Sequence, residues 1–401
     1  MSAHSEAMGA PPTLERCPLM PTYAAPTVSF VRGEGSWLFD LAGNRYLDLL
    51  SGLAVTSLGH AHPEVAAAIA AQASKLSHVS NLFGNEHQGP LATTLDELLG
   101  GGGQVFFSNS GAEANECAIK LARKYAGSSA GRHNVICAYG SFHGRTLATL
   151  HATGQPAKWE AFQPLPEGFR HAAWCDLDDL ERQLDESVAA VLLEPVQGEG
   201  GVNPATAEYF SGVRRLCDER GILFMVDEIQ TGLGRTGEWF GFEHLLGGAR
   251  PDVVTVAKAL GNGTPIGACW ARADVAAAFE PGDHGSTYGG QPLAAAAARA
   301  VLEVMRREDV PARARTAGAA ITEAVSGLPN VTGVRGLGLL LAVELDTGAL
   351  GRDARAINGE LLARGVVANG VTTTALRLAP SLLISPDEID HAVTILGEVL
   401  S

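Results

Sequence analysis

The sequence predicts an α/β fold built on a mostly parallel central sheet flanked by helices. Two observations predict it. Short apolar runs of strand length, several rich in β-branched residues, recur along the chain, and amphipathic helical stretches alternate with them. A third sets the scale: 401 residues, 46% of them hydrophobic, suffice for a large core and a second, smaller domain.

In chain order, His62–Leu76 opens with Pro63 and repeats apolar residues at helical spacing. Ala112–Tyr125 sets Ala118, Ile119, Ala122 and Tyr125 on one face of a second helix. Asn134–Cys137 and Val188–Leu193 have the composition of strands buried on both faces. Ala205–Arg220 reads as a helix leading directly into the strand Ile222–Val226, and Val253–Val256 is a further strand. Ser385-Pro386-Asp387-Glu388 is a capping box with proline at the first helical position, followed by an apolar stripe of Ile389, Val393, Leu396 and Leu400. Residues 60–300 form the large α/β domain in this reading. The N-terminal segment 1–59 and the C-terminal segment 301–401 pair into a smaller α+β domain.

Charge and cysteine usage narrow the function classes. With 29 basic against 44 acidic residues, a net of -15, the chain is a poor partner for nucleic acid or an anionic membrane. The first twenty residues lack the basic start and apolar run of a signal peptide, and the longest apolar stretches, such as Ala66–Ala71, fall far short of a membrane span. The cytoplasm is the expected location. Cys17, Cys117, Cys137, Cys175, Cys217 and Cys269 are scattered with no C-x-x-C pair, which suits buried thiols better than disulfides or zinc. His60-x-His62 has no evident third ligand and Pro63 follows it, so it reads as a helix entry and no metal is expected.

Five segments could carry chemistry. Lysine occurs only at 75, 120, 124, 158 and 258. Lys75, Lys120 and Lys124 belong to amphipathic helices, and Lys158 to a loop. Lys258 follows the strand Val253–Val256 and precedes a glycine-bearing loop; strand ends are where α/β sheets place ligands. Desolvated there, its amine is a nucleophile toward an aldehyde; the alternative is an ordinary snorkelling lysine. Asp227-Glu228 ends the strand Ile222–Val226, so a carboxylate there needs a cationic or donor partner, either a protonated pyridine nitrogen or the cation of a structural ion pair. Ser110 and Glu113 have capping-box spacing, and with Gly111 they open a helix whose first amides could hold a phosphate or merely be capped. In Ser141–Thr146, Phe142 could stack on a flat heterocycle and Arg145 fork onto a carboxylate. Arg377 stands in an apolar, strand-like setting and wants an anion, from substrate or from a resident glutamate such as Glu199. Gly232-Leu233-Gly234-Arg235-Thr236-Gly237 matches G-x-G-x-x-G, but no helix opens there and no acidic residue follows at the required distance; it reads as a turn-rich loop, not a dinucleotide site.

Taken together, FFSNSGAEANECAIKLARKY, SFHGRT, EPVQGEGGV, MVDEIQTGLGRTG, AKALGNGTPIGA, HGSTYGG and LRLAPSLLIS resemble the class-III, fold-type-I pyridoxal-phosphate (PLP) aminotransferases, in family order from about Pro21 to Leu400. The resemblance implies a PLP cofactor held by Lys258 as a Schiff base, with Asp227 on the pyridinium nitrogen and these two as the catalytic residues. It implies Gln230 near the phenolic oxygen, Phe142 stacked on the ring, and Gly111 and Ala112 donating to the phosphate. Thr287 would reach that phosphate from the neighbouring subunit of a homodimer. Arg145 and Ser286 would meet an acylated substrate. Arg377 would take the α-carboxylate of glutamate or 2-oxoglutarate, with Glu199 neutralising it otherwise. The reaction implied moves the distal amino group of N2-acetyl-L-ornithine to 2-oxoglutarate. The alternatives are succinyl-diaminopimelate, succinylornithine, ornithine or 4-aminobutyrate as amine. The chain departs from the family's pattern at Asn262 and Thr264 in the loop after Lys258, at Gln291, and after Tyr23, where no basic residue follows.

Overall fold

The computed structural model describes residues 18–127 and 131–401; Cys17 and the rest of the first seventeen residues of the N-terminal segment lie outside them. Seven strands form the central sheet: β1 (Gly103–Ser108), β2 (Asn134–Ala138), β3 (Phe169–Ala172), β4 (Val188–Leu193), β5 (Leu223–Asp227), β6 (Val253–Val256) and β7 (Gly267–Arg272). Their spatial order is β1-β7-β6-β5-β4-β2-β3. Only β7 runs against its neighbours, with Gly267 opposite Ser108 and Val256 opposite Ala268. The carboxyl ends of β1, β2, β4, β5 and β6 therefore share one edge, where an open α/β sheet binds its ligand.

Five helices frame the site and its supports: α1 (Pro63–Ala73), α2 (Gly111–Ala126), α3 (Ala207–Arg220), α4 (Pro292–Arg307) and α5 (Pro386–Leu400). Their ends explain where the structure trims the sequence reading. Helix α3 starts at Ala207, not Ala205, because the Thr206 hydroxyl caps it by accepting from Tyr209 N, while Ala205 N donates to Pro195 O. It ends at the left-handed Gly221, and Ile222 N closes the motif on Cys217 O at 3.0 Å. The Ile222 amide is thus part of the helix cap, and β5 begins one residue later and includes Asp227. Helix α1 stops at Ala73, short of Leu76, where the Leu76 and Lys75 amides both turn back to Gln72 O. Helix α5 has both halves of its capping box, and Glu388 also accepts from the Ser36 hydroxyl at 3.1 Å.

Two small sheets flank this core. Phe30–Glu34, Trp37–Asp40 and Arg45–Asp48 form an antiparallel meander to which Val366–Val367 adds in parallel, so the two ends of the chain share a sheet. Val331–Leu337, Leu340–Leu345, Ala375–Leu378 and Asn369–Gly370 form the other, all antiparallel. One apolar cluster runs unbroken from Val191, Phe224 and Val254 to Leu341, Leu376 and Ile389. That shared core fixes the Arg377 strand against the edge of the central sheet.

Candidate active site

Asp227, at the end of β5, is almost fully buried and held from three sides. Its Oδ2 accepts from Asn115 Nδ2 at 2.7 Å and meets His143 Nδ1 at 2.8 Å, while Oδ1 accepts from Ile229 N at 3.0 Å. Asn115 is itself fixed, since its Oδ1 accepts from the Thr255 hydroxyl of β6 at 2.7 Å. A carboxylate so clamped points in one direction and exchanges little with water. Its neighbour Glu228 turns away. Buried, it takes Thr231 Oγ1, Gly241 N and Phe242 N, and burial pushes its carboxyl up to about 7. Of the two adjacent carboxylates, one faces the cavity and the other builds the loop behind it.

Lys258 follows the end of β6, its backbone at φ 40 and its side chain on a cavity of about 370 Å³. Burial lowers its amine to about 8, so about a tenth of it is neutral at pH 7, on the order of a hundredfold more than for an ordinary lysine. The same cavity is lined by Asn109, Ser110, Gly111, Ala112, Phe142, Arg145, Glu194, Glu199, Asp227 and Gln230, most of the residues singled out in the sequence.

At one end of it α2 begins. The Ser110 hydroxyl accepts from Glu113 N at 3.2 Å. Glu113 does not return to Ser110, as the capping-box spacing suggests; it reaches Asn109, which offers two donors, its amide at 2.6 Å and its side chain at 2.8 Å. The first helical amides, Gly111 and Ala112, remain for an anion. Gly111 is required for space as well, because a Cβ there would meet Ile229 Cδ1 at 2.6 Å.

Phe142 is oriented by its own amide, which donates to Glu194 Oε2 at 3.1 Å. Burial and the nearby Asp227 carboxylate raise the Glu194 carboxyl well above its usual range. Arg377 lies on the strand Ala375–Leu378 with only 2% of its side chain exposed. Its Nη1 donates to Glu199 Oε1 at 2.5 Å, Gly198 O at 3.2 Å and Gln230 Oε1 at 3.4 Å, and its Nη2 to Asn369 Oδ1 at 2.9 Å. Burial opposes ionisation of Glu199, but the Arg377 charge and hydrogen bond outweigh it and hold the carboxyl below its usual range. Three named residues stand outside the cavity lining: Arg377, which meets it through Glu199 and Gln230, and Ser286 and Thr287. Ser286 accepts from Asn109 Nδ2 at 3.2 Å, one contact away, and Thr287 is exposed.

These residues fit PLP. A cavity of that volume sets a buried amine for an aldehyde, a clamped carboxylate for a ring nitrogen, an aromatic face and free helix-start amides for a phosphate along one sheet edge. Sequence reasoning missed Asn115, His143, Thr255 and Glu194. A signal existed for Asn115: it is the polar member of the buried stripe Asn115, Ala118, Ile119, Ala122. His60, from the rejected metal pair, bonds Asp48 Oδ2 through Nε2 at 2.7 Å. Among the described residues no helix is long and apolar enough to cross a membrane.

Residues 20–400 match the family described as aminotransferase class-III. The acetylornithine aminotransferase of Caldanaerobacter subterraneus subsp. tengcongensis is 46% identical over 395 residues, 97% of this chain and 98% of that protein. That of Gloeobacter violaceus is 47% identical over 96% of each. Among solved structures, the ornithine aminotransferase of Toxoplasma gondii, reported with partial occupancy of PLP at its active site, superposes with a TM-score of 0.90 at 35% identity, covering 96% of this chain and 93% of that one. The resemblance carried by the motifs therefore holds along the whole fold: the chain belongs to the class-III aminotransferases, and its cofactor is pyridoxal phosphate.

Proposed function

We propose that this aminotransferase transfers the δ-amino group of N2-acetyl-L-ornithine to 2-oxoglutarate, giving N-acetyl-L-glutamate 5-semialdehyde and L-glutamate, a step of arginine biosynthesis in the cytoplasm. The observation that carries this reading is the Arg377–Glu199 pair beside the Lys258 cavity, in a chain that aligns almost end to end with acetylornithine aminotransferases.

Once bound, PLP supplies a ring that withdraws electrons from the carbon bearing the transferred nitrogen. In this reading Asp227 keeps the ring nitrogen protonated, and Asn115 and His143 keep Asp227 aimed at it. Phe142 covers the ring face, Gln230 meets the phenolic oxygen, and the Gly111 and Ala112 amides take the phosphate. Lys258 Nζ, free once a substrate amine has displaced it, would carry the proton from that carbon to the cofactor's C4′, and in the opposite half-reaction from C4′ to the carbon of the second substrate. Its lowered pKa suits a base that must be neutral to act.

Arg377 and Glu199 decide which substrate is accepted. Glutamate and 2-oxoglutarate bring an α-carboxylate that competes with Glu199 for the guanidinium. N-Acetylornithine enters amine first and brings no anion there, so Glu199 stays and neutralises Arg377. Arg145 and Ser286 meet the acylated end. Thr287 completes the phosphate site of a second copy in a homodimer; its exposure, and that of Tyr288 and Leu82 at 66% and 86%, supports an interface on this face.

A half-reaction panel tests the assignment. Holoenzyme is mixed in single turnover with N-acetylornithine, N-succinylornithine, succinyl-diaminopimelate, ornithine and 4-aminobutyrate, and loss of the cofactor's visible absorbance is followed. N-Acetylornithine is expected to give the highest apparent second-order rate constant. A higher value for any of the others overturns the substrate while leaving the chemistry intact.

A further inference from the structure

Lys158 has no place in the proposed reaction, yet it stands beside the cavity. Three of the other lysines are accounted for at the surface: Lys75 pairs with Glu86 at 2.6 Å, Lys120 donates to Asp283 O at 2.7 Å, and Lys124 pairs with Asp283. Lys158 ends the single turn Pro156–Lys158, which two side chains hold, one on the loop carrying Phe142 and the other on Thr153 at the end of the helix Leu147–Ala152. Gln155 Nε2 donates to Ser141 O at 2.9 Å, and Trp159 Nε1 donates to Thr153 O at 3.0 Å. Held this way, Lys158 Nζ stands 5.0 Å from the centre of the Phe142 ring. The Arg145 guanidinium carbon stands 5.5 Å from the same centre.

Among the described residues neither cation has a carboxylate within ion-pairing distance. An aromatic face is a weak partner for one cation, and two cations on one ring repel each other. Partial burial, and next the charge of Arg145, lower the Lys158 amine below its ordinary value, and the more distant Glu199 and Glu194 offset them only in part. Phe142 and Arg145 both line the cavity, so the missing anion is one that enters it.

We propose that Lys158 and Arg145 together bind the substrate carboxylate farthest from the transferred nitrogen, making Lys158 a specificity-determining residue for amines that end in a carboxylate. The proposal rests on the acetylornithine reaction, in which both substrates have such a group: the α-carboxylate of N-acetylornithine and the γ-carboxylate of 2-oxoglutarate. With Arg377 and Glu199 engaged at the reacting end, the clamp of Arg145 and Lys158 measures the opposite end and stays cationic through both half-reactions.

The test compares N-acetylornithine with N-acetylputrescine, the same molecule without its carboxylate, in single-turnover half-reactions of wild-type, Lys158→Met and Lys158→Arg holoenzyme. Loss of a charge-assisted contact is expected to cut the preference for N-acetylornithine over N-acetylputrescine about tenfold in Lys158→Met, and Lys158→Arg is expected to restore most of it. Glutarate, an unreactive dicarboxylate, gives a second readout by titration calorimetry on the holoenzyme. Its Kd is expected to rise about tenfold in Lys158→Met. Equal losses for both amines, or an unchanged glutarate Kd, overturn the proposal. Failure of wild-type enzyme to use N-acetylornithine would instead strike the substrate assignment, and the glutarate arm would still decide the role of Lys158.

Discussion

Lys258 combines two costs that a structural lysine has no reason to bear. Its left-handed backbone is disfavoured by about 1–2 kcal/mol for a residue with a Cβ, and its amine is stripped of water beside the sheet edge. The second cost is what makes it reactive, and it predicts a pH dependence. Because the amine is lowered to about 8, protonation silences it below that pH, and the neutral fraction falls about tenfold for each further unit. The rate at which apoenzyme captures added PLP as a visible chromophore should therefore climb between pH 6 and 8 and level off above about 8.5. A profile still climbing steeply at pH 10 would mean that the amine is not depressed. Lys258→Ala is expected to abolish turnover while retaining part of the PLP, held by the helix start and Asp227; near-wild-type transamination in that variant would remove Lys258 from the chemistry. Arg377→Ala separates the two substrates at the same scale. It should slow the glutamate half-reaction at least tenfold more than the N-acetylornithine one, since only glutamate replaces Glu199 on the guanidinium. Equal losses in the two single-turnover reactions would count against the exchange of partners.

At the scale of elements, the loop Gly232–Gly237 shows what its glycine spacing is for. It binds no dinucleotide. Its Arg235, fully buried and lowered to about 9 by that burial, donates to Leu339 O at 3.1 Å, Pro380 O at 2.5 Å and Ser57 Oγ at 3.0 Å. One guanidinium thus joins the loop after β5 to the Arg377 sheet and to the N-terminal segment. Arg235→Met leaves those acceptors buried and unpaired and should cost about 3 kcal/mol or more, read as a lower guanidinium chloride midpoint of the holoenzyme. A midpoint within error of wild type would show that the loop is held otherwise. Such long-range clamps explain what was legible in the sequence and what was not. Lys258, Asp227, Ser110 and Arg377 stand where local pattern changes, at a strand end, a helix start or a charge in an apolar run. Strands β2, β4, β5 and β6 are apolar runs with turn signals, and the residue at which β5 starts depends only on a helix cap nearby. By contrast β7, Gly-Ala-Cys-Trp-Ala-Arg, has no β-branched residue and is a strand only because β1 and β6 receive it from both sides. Thr255 and Glu194 acquire their roles from partners distant in the chain, and Lys158 from a turn that folds onto Phe142, so no local pattern announces them; Asn115 shows only as the polar break in a buried helical stripe.

The whole molecule gathers five strand ends and one helix start around a single cavity, with Arg377 of a second sheet paired to the lining residue Glu199, yet Thr287 stays outside it and exposed. Its neighbours on the surface are apolar: Tyr288 is exposed, and the loop bearing Leu82 and Phe83 is tied to the same stretch by Asn81, which donates to Ser286 O at 2.9 Å and Gly289 O at 3.1 Å. An exposed apolar patch on this face suits the proposed two-fold interface, in which each copy would lend Thr287 to the other's phosphate site. Complementation tests this directly. Lys258→Ala lacks the amine but keeps Thr287; Thr287→Glu keeps the amine but sets a negative charge where the neighbour's phosphate would lie. Each variant alone should be nearly inactive. Mixed in equal amounts and allowed to exchange subunits, half of the dimers carry one chain of each kind, and in these one of the two sites has both its own Lys258 and the neighbour's Thr287. Roughly a quarter of wild-type activity should then return, by simple pairing statistics for a two-fold dimer. If exchange is verified by mass and activity does not rise above the parents, Thr287 does not act across an interface, and each copy must close its own phosphate site.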